Sequence, residues 1–143
     1  MEGVSSVTVN SGKYFALIGL PAGGELIEGG APVTLDDGTL MLGVTPANSA
    51  REDSSTAGTL ETVTMANNSA VEVENMWVRI DSVKGNGNVA LTDTGRLYVR
   101  DLDIEGNVDN DGTLSADSVT VSGGTLTTTK TLKSEGKISV TET

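Results

Sequence analysis

The chain has 143 residues, a formal net charge of −11, no histidine and no cysteine, with 36% apolar and 3% aromatic residues. Such a charge repels phosphate backbones and anionic headgroups, so the expected partners include neither nucleic acid nor membrane. Without His or Cys there is no Ser-His-Asp triad, no thiol nucleophile and none of the commonest metal ligands, so the reading is of a non-enzyme with no cofactor and no metal site.

Eighteen glycines and many Thr, Val and Ser residues favour strands and turns. No stretch carries apolar residues at i, i+3, i+4 and i+7, so the fold class is all-β. In chain order, the first eight residues lack a basic and then apolar leader, and the apolar run at 14–20 is too short to span a bilayer. The expectation is synthesis in a cytoplasm with no export address.

Pro21-Ala22-Gly23-Gly24 breaks that run and Glu28-Gly29-Gly30 makes a second turn. Val33 and Leu35 begin a strand, and Asp37-Gly38 is a hairpin signal toward a strand at 40–44. Residues 47–57 read as an exposed loop. Strand character resumes at 59–65 and again at 71–80. There Val71 and Val73 have one parity and Met76, Val78 and Ile80 the other, so a bulge near Glu74-Asn75 is expected to keep both sets inward. Trp77, the only tryptophan, offers a ligand-stacking reading, but on a half-buried strand it is expected in the core or an interface. Together, residues 1–83 read as a small β-barrel or sandwich base.

Lys84-Gly85-Asn86-Gly87-Asn88 reads as a turn, without the Gly-Lys-Ser/Thr of a phosphate loop, and 84–101 as linker and connecting strands. From there the chain keeps a count of six. Apolar residues recur at Leu102, Val108, Leu114, Leu126, Leu132 and Ile138, with one miss at Thr120. Glycine keeps the same count at Gly106, Gly112, Gly124 and Gly136, with Ser118 and Lys130 in the slots between. An acid precedes the slot at Glu105, Asp111, Asp117 and Glu135. Each unit supplies a short strand with one large side chain inward and a glycine corner, the pattern of a β-helical or β-prism shaft over 102–143.

One chain supplies only about two turns of a three-sided coil in that stretch, and a repeat buries its apolar face only against neighbours. Three chains sharing the core solve this, so a homotrimeric shaft is favoured over a solitary β-helix. Asp36-Asp37 and the pair Asp109 and Asp111 are explained by turn preference rather than acid–base chemistry. The segment 107–112, Asn-Val-Asp-Asn-Asp-Gly, resembles half a calcium loop, but Ser118 stands where the bidentate Glu belongs. Asn67-Asn68-Ser69 matches a glycosylation sequon without a secretion signal.

Residues 20–44 carry a resemblance. An Ala-Gly turn, an apolar pair, a second glycine, Pro32-Val33-Thr34-Leu35, Asp37-Gly38 and Gly43-Val44 follow in the order found in capsid decoration and head-fibre proteins of tailed bacteriophages. The resemblance implies a trimeric structural protein on the capsid exterior of the virion, its base bound to the major capsid protein and its shaft projecting. The shaft is short and the sequence carries no receptor-binding tip after Thr143, so either the sequence is a truncated piece or the protein decorates the capsid without recognising a host. Two alternatives are weighed against it: a receptor- or carbohydrate-binding fibre module, which needs exposed aromatics where the shaft offers none beyond Tyr98, and a β-helical protein that polymerises end to end, which predicts uncapped apolar termini where the closing Val140-Thr141-Glu142-Thr143 is polar.

Overall fold

In a computed structural model of the chain, residues 6–17, 27, 31–43, 57–74, 76–136 and 138–141 are described. They form β1 (Val7–Val9), β2 (Tyr14–Leu17), β3 (Val33–Asp36), β4 (Thr39–Leu42), β5 (Ala57–Val73), β6 (Trp77–Leu91), β7 (Arg96–Glu105), β8 (Val108–Asn110), β9 (Thr113–Ser122), β10 (Leu126–Thr128), β11 (Thr131–Ser134) and β12 (Ile138–Thr141). The all-β expectation holds. Every strand pairing is parallel, from β1 with β3 through β5 with β6 and β7 with β9 to β12 with β9. Parallel neighbours need a crossover between them, and here the crossover is the remainder of one coil. The fold is a three-sided β-solenoid.

Residues 57–73, 77–91, 96–110 and 113–128 each make one full turn. The first face stacks 57–60, 77–80, 96–99, 113–116 and 131–134. The second stacks β1, β3, 63–66, 82–86, 101–105, 118–122 and β12. The third stacks β2, β4, 70–73, 88–91, β8 and β10. The coil is not strictly periodic. Residues facing each other across one coil are 20 positions apart at Asn68 and Asn88, 19 at Asn88 and Asn107, 18 at Asn107 and Thr125, and 17 at Asp101 and Ser118.

Three sides of about six residues account for the hexad, and the short coil accounts for its miss. Leu102 pairs with Val119 rather than Thr120, so Val119 and Val121 turn inward and Thr120 points out opposite Asp103. Along each central strand the burial alternates, and the inward Val, Leu and Ile side chains are at most a few per cent exposed. Alternation on a coil gives a single dry interior, since all three faces point the same parity inward.

Several expectations change. The barrel or sandwich expected over 1–83 is not what its described residues form: β1 to β6 lie in the same parallel coil. Alternating Val and Leu suit either architecture, and only the pairing direction separates them. Asp37-Gly38 makes no hairpin. It is the corner between β3 and β4, each of which pairs with β5, and Asp37 takes the left-handed conformation (φ 55°). Residues 84–101, read as linker and connecting strands, fall largely inside β6 and β7, so strands run through them with pairing continuing and without a separate linker. Lys84-Gly85-Asn86-Gly87-Asn88 is the corner between the second and third faces. Gly85 holds φ +113° there, and a Cβ on it would strike the Met65 carbonyl one coil below. Val71, Val73, Met76, Val78 and Ile80 are all buried, as expected, but the change of parity falls in the passage from one coil to the next, between β5 and β6. The loop at 47–57 and the turns at 21–24 and 28–30 lie outside the described residues, Ala57 apart.

Candidate functional site: the open last coil and the first outer face

The corners hold the coil together. Asn88 Nδ2 donates to Asn68 Oδ1 (3.1 Å), Asn107 N donates to Asn88 Oδ1 (3.0 Å), and Asn107 Oδ1 accepts from Thr125 N (2.9 Å). This asparagine ladder climbs the corner where Gly106 stands above Gly87 and Gly124 above Gly106, each leaving no room for a Cβ beside the carbonyl below. Gly112 likewise sits on Gly95, and Gly136 on Asp117. The four glycines picked out by their spacing are therefore corners, fixed by close stacking of backbone on backbone. Asn110, fully buried, donates through Nδ2 to Thr131 O (2.8 Å) and Thr128 Oγ1 (3.1 Å), and its Oδ1 accepts from Gly112 N (3.1 Å). These bonds satisfy its amide, so the 107–112 segment is used as structure; among the described residues no cluster of three or more His, Cys, Asp or Glu could hold a metal.

The six apolar hexad residues divide along the coil axis. Leu102, Val108 and Leu114 are at most 1% exposed. Leu126 and Leu132 are only partly buried, and Ile138 on β12 is 44% exposed beside Val140 at 46%. The reason is position. β10, β11 and β12 each pair on one side only, with β8, β9 and β9, so the last coil has a free edge among the described residues. Ser134 Oγ in that coil is buried without a hydrogen-bond partner. Among the described residues this leaves Leu126, Leu132, Ile138 and Val140 only partly covered beside unpaired strand edges.

The first face carries a different surface. Trp77 is 45% exposed and points outward, which, of the two expected positions, excludes the core. The inward parity of Met76, Val78 and Ile80 had already implied this. Trp77 pairs with Arg96, and Arg79 with Tyr98, so aromatic and cation alternate in a two-by-two patch over β6 and β7. The Arg79 guanidinium lies 5.0 Å from the Tyr98 ring centre, a cation–π contact. Tyr98 OH donates to Asp117 Oδ1 (2.8 Å), and this bond to a carboxylate, with partial desolvation and the nearby negative charge, raises the phenol above its usual value. Arg100 is drawn off to Asp81 (3.0 Å). Lys133 extends the patch two coils on, past Ser115. A recess of about 190 Å³ beside Arg79 is lined by Ile27, Ala31, Thr59, Leu60, Glu61 and Asp81.

Among the described residues no helix is long and apolar enough to cross a membrane. Compared with family models, curated proteins and solved structures, the chain matches none.

Proposed function

We propose that this is a non-catalytic structural protein, a homotrimeric capsid decoration or head-fibre subunit on the exterior of a tailed-phage virion. The observation that carries the assembly part is the last coil. Ile138, Val140, Leu132 and Leu126 offer an apolar surface that water makes costly at about 25 cal/mol per Å², and free strand edges surround it. In this reading three copies meet at this end and cover those side chains, and Ser134 Oγ, unpartnered in the lone chain, lies in the same coil. The capsid setting rests on the likeness of 20–44 to decoration and head-fibre proteins, in sequence alone, since Asp37-Gly38 turns a coil corner rather than a hairpin. In this reading the N-terminal coils seat on the major capsid protein and the solenoid projects as a stiff spacer.

Particles purified from the culture that makes this chain, labelled with an antibody to it and viewed by electron microscopy, test the setting. Gold on capsid exteriors is expected. Gold confined to particle-free fractions would overturn the virion reading while leaving self-assembly standing.

A further inference from the structure

We infer that the first outer face is a binding site for a carboxylate-bearing glycan, centred on Trp77 with Arg79 and Arg96 as its carboxylate-recognising groups. The chain carries a net charge of −11, yet the outward positions over the middle of this face in β6, β7, β9 and β11 hold no acid: they are Trp77, Arg79, Arg96, Tyr98, Thr113, Ser115, Thr131 and Lys133. The acids of the neighbourhood lie at the corner beside it: Asp81, paired with Arg100, Asp117, which accepts from Tyr98, and Glu61 and Glu135 next to Arg79 and Lys133. The surface is therefore a cationic and aromatic strip on an acidic protein, and charge complementarity selects an anionic occupant.

The geometry narrows the class. Adjacent strands lie about 4.8 Å apart and alternate residues along one strand about 6.7 Å apart, so Arg96 and Arg79 flank the indole on two sides at the scale of one pyranose ring. An exposed indole offers a flat apolar surface to the C–H face of a sugar, and a guanidinium meets a carboxylate through two parallel hydrogen bonds. Arg96 has no ion-pair partner among the described residues and so is available to a carboxylate, and the Arg79 guanidinium lies over the Tyr98 ring.

Trp77 is the only tryptophan, so its fluorescence reports on this site alone. The test titrates the full chain with hexagalacturonate, a hyaluronan hexasaccharide and sialyllactose, with maltohexaose and oligo(dT) as neutral and nucleic-acid controls. The expected result is saturable quenching by at least one acidic glycan, weakened at least tenfold in Arg79→Gln and in Arg96→Gln. Calorimetry on Trp77→Ala should show no binding, and Asp103→Asn, on the second face, should bind like the parent. Binding to none of the acidic glycans, equal binding to maltohexaose or oligo(dT), or binding that survives R79Q and R96Q would each overturn the inference. So would a fall in solution mass on Trp77→Ala, which would assign the face to a second copy of the chain.

Discussion

The central coils and the last coil are written in the same hexad, yet they differ in what their apolar residues achieve. Leu102, Val108 and Leu114 are sealed, whereas Ile138 and Val140 in the equivalent inward positions stand nearly half exposed. Sequence, strand register and parity are alike in the two regions; what differs is a neighbour on the far side. In a solenoid the burial of a residue belongs to the pair of coils, not to the residue, so the same inward position is sealed in one coil and open in the next.

That difference can be broken by substitution. The largest effect is expected from truncating the sealed interior: Leu114→Ala should cost about 2–5 kcal/mol by urea unfolding, against about 1 kcal/mol for Leu132→Ala in the lone chain at high dilution. Equal costs would mean that the last coil is as covered as the centre. Next comes the corner stack. Gly106→Ala adds a methyl against the Gly87 carbonyl at φ +153° and should cost about 3 kcal/mol, while Gly136→Ala, on a coil free to shift, should cost roughly a third of that. Asn110→Ala severs the buried tie between the third face and the last coil, for about 2 kcal/mol and with faster amide exchange at 126–134.

The smallest effect is a pH dependence on the first face. The hydrogen bond to Asp117, first among the causes, raises the Tyr98 phenol above its usual value near 10. A group raised in the folded state contributes stability that is fully present below the unfolded value and is lost as pH rises through the folded one. Spectrophotometric titration should therefore find Tyr98 ionising above pH 10, and Asp117→Ala should bring that transition down. An unchanged transition would mean that the Tyr98–Asp117 bond is not formed in solution.

Much of the fold was legible because a count of six and an alternation of two are both geometric. The inward set from Leu102 to Ile138, the glycine corners, and even the outward aim of Trp77 follow from them. The N-terminal coils were harder to read because their corners are irregular. The register shifts between Met65 and Ser69, where Asn67 and Asn68 adopt positive φ, and no six-residue count survives that. Asp37-Gly38 misled because a left-handed Asp serves a hairpin and a solenoid corner equally well. The cationic strip was hidden for another reason. Trp77, Arg79, Arg96 and Tyr98 meet only when a 19-residue offset brings β6 beside β7, an offset that no hexad announces. Whether other copies cover the last coil is likewise written in no single chain's pattern.

The most direct test of the central claim, that copies of this chain cover the last coil, is the solution mass by light scattering of the full chain and of a variant carrying Ile138→Asp and Val140→Asp. The account predicts about three times the 14.6 kDa chain mass for the parent and a monomer for the variant, with the central coils still folded by circular dichroism. A parent that is monomeric at every concentration, or a variant that keeps the parent's mass, would contradict it.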